Sequence, residues 1–320
     1  MRHRLDLEKS VVTYTRILVP LDGSKLAEQV LPYVRVMAKG LQTRIDLLRI
    51  VEPAAARVAD AHRPANLTEI HSDIRNQADN YLKALASSLK KDGLCVLRTV
   101  HQGDPASAIL SEAETEPGTL IAMSTHGRSG ISRWVLGSIT GKVLQATTAP
   151  LLITRTQVEG SPNPEVNLST VLVPLDGSPL AEQVLPHVVA LARALSLKVR
   201  LVRVTSSPGE FYHYEMYPSY YYGDPFATVD AAAGEYLEQI SECLRQKGVA
   251  SVEEELLHGH PAEAIVDLVR QAPDSLIAMT THGRSGVGRW LLGSVADQVV
   301  RYAECPVLIV RAAEEGSRET

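Results

Sequence analysis

Two blocks of sequence each occur twice in this chain, in the same order, and this duplication constrains the fold more than any other feature. Leu18–Ser24 returns as Leu172–Ser178, and the run LAEQVLP follows soon after each copy. Further along, Thr125–Gly130 reappears as Thr281–Gly286. Self-similarity at a fixed spacing is the signature of a repeated structural unit. The sequence therefore predicts two copies of one domain in tandem.

The length of the chain agrees with this prediction. A chain of 320 residues exceeds the usual size of one domain and suits two domains of roughly 150 residues each. Residues 156–169 lack apolar periodicity and contain two prolines, which is typical of an exposed linker. We therefore expect a first domain at 1–155, a linker at 156–169, a second domain at 170–312 and a flexible tail at 313–320.

Short apolar runs alternate with amphipathic stretches within each copy, a pattern that builds parallel strands joined by crossover helices. We predict an α/β fold, with two tandem, doubly wound, Rossmann-like domains of five strands and four helices each. The predicted strands are Ile17–Leu21, Ile45–Val51, Leu94–Val100, Leu120–Ser124, Leu151–Thr154, Val171–Leu175, Val199–Val204, Val252–Leu257, Leu276–Thr280 and Val307–Val310. The predicted helices start near Ser24, Leu67, Pro105, Ser138, Ser178, Ala227, Pro261 and Ser294.

Charge and composition exclude several classes of protein. A formal net charge of −5, without a basic run, argues against a nucleic-acid partner, because phosphate backbones require clustered Lys and Arg. Met1–Asp6 alternates in charge where a signal peptide needs an apolar segment, and the sequence holds no apolar run of about 18 residues. Cys95, Cys243 and Cys305 are too widely spaced for a zinc motif and fit reduced thiols. These features predict a soluble, cytoplasmic protein that does not bind membranes.

The first repeated block carries the first candidate site. In open parallel sheets, ligands bind at the carboxyl ends of the strands, where the strand order reverses. The first strand ends in Pro20, Asp22 and Gly23, and we expect Ser24 to cap the helix that follows. Asp22 is then predicted to project into the crevice. The second copy repeats this set as Pro174, Asp176, Gly177 and Ser178.

The second repeated block follows the fourth strand. Gly127 is followed by nine residues and then by Gly137-Ser138, which opens the last helix. Such a glycine corner presents free N–H groups to a phosphate, and Arg128 and Arg133 can neutralise its charge. In the second copy these residues are Gly283, Arg284, Arg289, Gly293 and Ser294. One alternative is an ordinary capped helix, because Ser294 and Asp297 are spaced as in a capping box.

These motifs resemble the universal stress protein family, whose ATP-binding members carry Gly-x-x-Gly, nine residues, then Gly-Ser or Gly-Thr after the fourth strand. The resemblance covers nearly the whole chain in two copies. It implies that a nucleotide in the first domain contacts Pro20, Asp22, Ile50, Met123, Ser124, His126, Gly127, Arg128, Gly137, Ser138 and Ile139. In the second domain it implies Pro174, Asp176, Val204, Met279, Thr280, His282, Gly283, Arg284, Gly293, Ser294 and Val295. Both copies depart from the family's motif at its first glycine, which is replaced by Ser124 in the first copy and by Thr280 in the second.

The resemblance implies a nucleotide-dependent stress-response or regulatory protein with slow or no hydrolysis. ATP is the expected ligand, with ADP and AMP as alternatives, and Mg²⁺ can accompany ATP. A scaffold that binds no nucleotide and a nucleotide phosphohydrolase using His126 and Asp22 stay open as other functions. We expect the two domains to form an intrachain pair through Leu151–Thr154 and Val307–Val310, with homodimerisation and an unidentified protein partner as further possibilities. No catalytic residue or protein-held metal site is predicted.

Three further features have more than one interpretation. His126 and His282 are candidates for a general base or phosphate acceptor, but neither has a sequence-adjacent carboxylate to orient it, which favours ligand contact or local hydrogen bonding. Gly103–Ala106 and Gly259–Ala262 are typical of turns that open a helix, with contact to the ligand as the alternative. Residues 211–222 hold six of the eleven tyrosines, which fits a surface loop, a lid over the nucleotide or a partner-binding patch.

Overall fold

The computed structural model of the chain describes residues 12–52, 67–125, 137–155, 166–205, 225–281 and 293–312. The chain divides into two compact units, one from Thr13 to Val166 and the other containing the residues from Asn167 onward. Each unit is a parallel five-stranded sheet with helices between its strands, as the duplicated sequence predicts. Among the helices of these ranges, none is long and apolar enough to span a bilayer.

The sheet of the first unit has the strand order β3-β2-β1-β4-β5, and every neighbouring pair is parallel. The strands are β1 (Arg16–Pro20), β2 (Arg44–Val51), β3 (Val96–Gln102), β4 (Thr119–Thr125) and β5 (Leu151–Arg155). The helices are α1 (Leu31–Leu41), α2 (Leu67–Lys91), α3 (Pro105–Glu114) and α4 (Ser138–Ala146). A 3₁₀ turn at Ala27–Val30 precedes α1.

The second unit repeats this order as β8-β7-β6-β9-β10, again with parallel pairs. Its strands are β6 (Thr170–Pro174), β7 (Lys198–Thr205), β8 (Val252–His258), β9 (Ser275–Thr281) and β10 (Val307–Arg311). Its helices are α5 (Leu185–Leu195), α6 (Pro225–Gln246), α7 (Pro261–Arg270) and α8 (Ser294–Tyr302), and a helical turn at Pro179–Glu182 precedes α5.

The central strands are continuous apolar runs because helices cover both faces of a doubly wound sheet. Every residue of β1 is buried, and β4 and β9 are buried at six of their seven positions. Ile17 and Leu120 have no exposed surface, and neither do their counterparts in the second unit, Val171 and Leu276. The strand order reverses between β1 and β4, and between β6 and β9, so these four strands define the two switch points.

Three predicted starts are wrong by a few residues. The helix expected near Ser24 begins as a 3₁₀ turn and becomes α-helical only at Leu31, because Pro32 has no N–H to continue a helix from the preceding turn. The strand expected from Leu94 begins at Val96, since the Leu94 N–H still bonds to the Leu89 carbonyl and closes the end of α2. The helix expected at Ala227 begins at Pro225, as the first helical position suits proline.

Candidate functional site

The sheet of the first unit opens into a crevice at its switch point. The parallel register of β1 and β4 runs from Arg16 opposite Thr119 only as far as Leu18 opposite Ile121, although both strands continue beyond. On the other side of β1, pairing with β2 continues to Pro20 opposite Leu48. The ends of β1 and β4 therefore separate while the rest of the sheet stays joined. Ligands of open parallel sheets bind in such a crevice.

The second unit opens in the same way. The register of β6 with β9 runs from Thr170 opposite Ser275 to Leu172 opposite Ile277 and stops there. Pairing of β6 with β7 continues to Pro174 opposite Val202. The two units thus offer equivalent crevices, and the predicted residues Pro20, Asp22, Pro174 and Asp176 lie at or directly after the strand ends that border them.

Asp22 is held in place by the residue two positions on. Its Oδ1 accepts hydrogen bonds from the Ser24 N–H, at 2.9 Å, and from the Ser24 hydroxyl, at 2.5 Å. The Ser24 Oγ in turn accepts the Ala27 N–H at 3.1 Å, so it caps the following turn as predicted. Partial burial raises the pKa of Asp22, but the bonds from Ser24 and the charge of Arg49 outweigh it, and the pKa lies below its ordinary value. Asp22 is therefore an exposed carboxylate, ready to accept hydrogen bonds from a ligand.

The second unit repeats this loop. Asp176 Oδ1 accepts the Ser178 N–H at 2.9 Å, and Ser178 Oγ accepts the Ala181 N–H at 3.1 Å. Gly23 and Gly177 both have φ of +84°, a left-handed conformation that side chains with a Cβ rarely adopt. The glycine after each aspartate is thus required by the turn.

An arginine that sequence reasoning missed lies behind each loop. Arg49 Nη1 donates to the Leu21 carbonyl at 3.1 Å, and Arg203 holds the same place in the second unit, 5.0 Å from the centre of the Tyr236 ring. Tyr81 is the counterpart of Tyr236, and its hydroxyl bonds to Glu28 Oε1 at 3.3 Å. The repeated sequence held a signal for these residues, since each copy carries the arginine near the end of its second strand and the tyrosine in its long helix.

The opposite wall of the crevice is the end of β4. Met123 is buried, and Ser124 is half-buried with its Oγ 3.1 Å from the Thr154 Oγ1 on β5, directly opposite in the register. In the second unit Thr280 lies opposite Val310, which has no hydroxyl, and Met279 is buried like Met123. The hydroxyl that replaces the family's first glycine is therefore bonded to the neighbouring strand in the first unit only.

The last helix of each unit begins at a glycine. Gly137 is the N-cap of α4 and Gly293 is the N-cap of α8, and among the described residues neither N-cap makes a side-chain hydrogen bond. The capping-box alternative for Ser294 and Asp297 is wrong, because Ser294 is already helical and Asp297 Oδ2 accepts from the Arg301 Nε at 2.7 Å. The first N–H groups of an α-helix have no carbonyl partner within the helix, which suits an anion; here they include those of Ser138 and Ile139 and of Ser294 and Val295.

Other predicted positions have mixed outcomes. Ile50 and Val204 are half-buried at the ends of β2 and β7. The Gly103–Ala106 turn opens α3 as predicted, with the Asp104 Oδ2 accepting the Ser107 N–H at 2.9 Å. Several predicted residues lie outside the described residues: His126, Gly127, Arg128, Arg133, His282, Gly283, Arg284, Arg289 and residues 211–222.

The second unit also contains a polar cluster that the sequence did not predict. Thr205 Oγ1 lies 2.9 Å from both Asp230 Oδ1 and His258 Nδ1, at the ends of β7 and β8 and in the first turns of α6. The corresponding residues of β2 and β3 in the first unit are Val51 and Gln102. In the sheet of this unit, β7 and β8 lie on the side of β6 away from β9.

Comparisons with known proteins agree with the fold. The model of the universal stress protein family matches residues 13–155 and again residues 167–311. A universal stress protein of Methanocaldococcus jannaschii is 29% identical over 155 residues, which cover 44% of this chain and 81% of that protein. The universal stress protein YxiE of Bacillus subtilis is 26% identical, with 44% of this chain and 99% of that protein covered. The crystal structure of a universal stress protein from Archaeoglobus fulgidus aligns with a TM-score of 0.69 at 20% identity, covering 93% of this chain and 98% of that one.

Proposed function

Since the family model matches both halves of the chain, at residues 13–155 and 167–311, the chain belongs to the universal stress protein family, and we propose that each of its two domains binds an adenine nucleotide. ATP is the primary ligand of the proposal, with ADP and AMP as alternatives. The nucleotide-bound state then regulates a protein partner of the stress response, and hydrolysis is slow or absent.

The opening of the sheet between β1 and β4, repeated between β6 and β9, is the observation that carries the proposal. A gap that occurs twice, at the same register and at the switch point of each sheet, is unlike a local defect of packing. It gives both domains a cleft of the kind in which doubly wound proteins bind nucleotides.

The groups around the cleft fit the chemistry of a nucleotide. Asp22 is a carboxylate with a lowered pKa, so it accepts hydrogen bonds from ribose hydroxyls or from the adenine amino group. The uncapped start of α4 offers N–H donors and the positive end of the helix dipole to phosphates. Asp176 and the start of α8 provide the same pair in the second domain.

A magnesium ion would come with the phosphates. Among the described residues, no group of three or more His, Cys, Asp or Glu side chains could hold a metal. The proposal therefore assigns Mg²⁺ to ATP and assigns no ion to the protein alone.

The test is to purify the full-length chain without added nucleotide, denature it and identify the released small molecules by mass spectrometry. Nucleotide-free protein is then titrated with ATP, ADP and AMP by calorimetry. We expect an adenine nucleotide to be released and to bind again, and we expect Asp22→Ala together with Asp176→Ala to weaken binding.

Release of no nucleotide, together with no heat of binding for any of the three, would contradict the proposal and favour the scaffold. Turnover of ATP on the order of 1 s⁻¹, within the ordinary range of enzymes, would instead favour a hydrolase.

A further inference from the structure

Both domains place an arginine of the second strand directly behind the loop that carries the aspartate. Pro20 pairs with Leu48 on β2, and Arg49 is the next residue along; Pro174 pairs with Val202 on β7, and Arg203 follows it. The register of the sheet thus fixes where the two guanidinium groups emerge. Since the register is the same in both copies, it places the two guanidinium groups at equivalent positions.

Each guanidinium group lies against the glycine of the aspartate loop. A Cβ on Gly23 would lie 3.5 Å from Arg49 Nη2, and a Cβ on Gly177 would lie 3.0 Å from Arg203 Nη1. Arg49 Nη1 also donates to the Leu21 carbonyl, one residue before Asp22. Arg49 therefore lies against its loop and bonds to the loop backbone, whereas Arg203 lies against the glycine of its loop.

An aromatic side chain of the long helix supports the arginine in turn. The Arg203 guanidinium lies 5.0 Å from the centre of the Tyr236 ring, within the range of a cation–π interaction. The Arg203 guanidinium thus lies close both to the glycine of the loop and to the ring of Tyr236.

We propose that Arg49 and Arg203 are positioning residues of the two nucleotide sites, each holding the loop of Asp22 or Asp176 in the conformation that meets the ligand. This inference rests on the proposed function. It assigns each arginine an effect that is exerted through the loop, and it predicts that each arginine acts on its own site alone. The charge of Arg49 also contributes to the lowered pKa of Asp22.

The test uses the full-length chain with Arg49→Met and Arg203→Met made separately. Calorimetric titration with ATP should show one of the two sites weakened in each variant. For Arg49→Met the loss should be on the order of tenfold, the change expected when a hydrogen bond from a charged group is lost. Arg49→Lys keeps the charge without the planar fork and should recover part of the affinity. Tyr81→Phe is the matched control, because it removes the hydroxyl bonded to Glu28 and leaves Arg49 in place.

A second readout separates positioning from a general loss of structure. The Asp22 carboxyl carbon is titrated by NMR in nucleotide-free wild type and in Arg49→Met. Arg49 favours the ionised form of Asp22, so its removal should raise the Asp22 pKa toward the ordinary value of about 3.9. As the pH falls, ATP affinity at the first site should then begin to decline at a higher pH in the variant than in wild type.

The outcomes are distinguishable from those of the proposed function. If Arg49→Met keeps both ATP sites with the affinities of wild type, and its Asp22 pKa equals that of wild type, the inference is overturned and the proposed function stays intact. If wild type binds no nucleotide, the proposed function fails, and the inference falls with it whatever the NMR titration shows. If Arg49→Met does not fold, Arg203→Met decides by calorimetry, and two sites with the affinities of wild type would overturn the inference.

Discussion

At the scale of single residues, Ser124 is where the chain departs from its family's pattern, and its environment explains how the departure is accommodated. The hydroxyl group is bonded to Thr154, whose side chain is only 1% exposed. Because of this bond to the neighbouring strand, the Ser124 hydroxyl is not an unpaired polar group at the crevice. What remains at the family's glycine position is the volume of a Cβ and one oxygen.

Ser124→Gly should leave ATP affinity at the first site unchanged or make it tighter, because it clears volume at the wall of the crevice. It should also lower the free energy of unfolding by about 1–3 kcal/mol, since the buried Thr154 hydroxyl loses its partner. Calorimetry gives the affinity and urea denaturation the stability. Thr154→Val, which installs the residue found at Val310, is the control for the lost bond alone. Weaker binding in Ser124→Gly but not in Thr154→Val would mean that the Ser124 hydroxyl contacts the ligand.

The residues that could be read from the sequence are those whose partners are close by in the chain. Asp22 and Ser24 are two positions apart, and both the turn and the cap follow from local chemistry. Arg49 reaches Leu21 across 28 positions, and Tyr81 reaches Glu28 across 53. Contacts of that range depend on the strand register and the packing of α2, which periodicity alone does not give.

At the scale of elements, the glycine N-caps of α4 and α8 are not the residues that would stabilise these helices most. Gly137 has φ of −50° and ψ of 141°, a conformation open to any residue, so the backbone does not require glycine there. Asp, Ser and Asn are better N-caps than Gly, and an acidic cap also suits the helix dipole. With glycine at both N-caps, each helix is slightly less stable than it would be with an Asp, Ser or Asn N-cap, and the N-cap side chain does not occupy the first N–H groups.

Gly137→Asp should raise the free energy of unfolding by about 0.5–1 kcal/mol, because the carboxylate caps the helix and complements its dipole. The same carboxylate should abolish ATP binding at the first site, since it takes the N–H donors and repels phosphate. Thermal or urea denaturation and calorimetry measure the two effects, and Gly293→Asp is the matched variant for the second site. A stabilised variant that keeps both sites would show that phosphate does not bind at this helix start.

Element types were predictable throughout, whereas some element ends were not. Apolar runs gave the ten strands because a doubly wound sheet buries its strands on both faces. The start of β3 was misplaced because Leu94 is apolar and buried, yet its N–H completes the end of α2. A buried residue just outside a strand has the same sequence signal as one inside it.

At the scale of the whole molecule, duplication makes each domain the control for the other. Strand order, crevice, aspartate loop and uncapped helix start recur in both units. Among the residues that the structure describes, the Thr205–Asp230–His258 cluster and the Ser124–Thr154 bond each occur in one unit only. The two domains share the elements of the candidate site and differ in the contacts near it. Both should therefore bind nucleotide, and their affinities need not be equal.

The chain should therefore bind two ATP molecules, and the two sites should be separable by mutation. Gly127 and Gly283 are the glycines of the repeated family motif that precede the nine-residue gap, and a valine there would occupy volume that the phosphates need. Calorimetric stoichiometry should fall from two to one in Gly127→Val and in Gly283→Val, and to zero in the double variant. Circular dichroism of the three variants checks that the fold is kept. A stoichiometry of two in both single variants would show that the glycines serve the loops alone and that the phosphates, if bound, lie elsewhere.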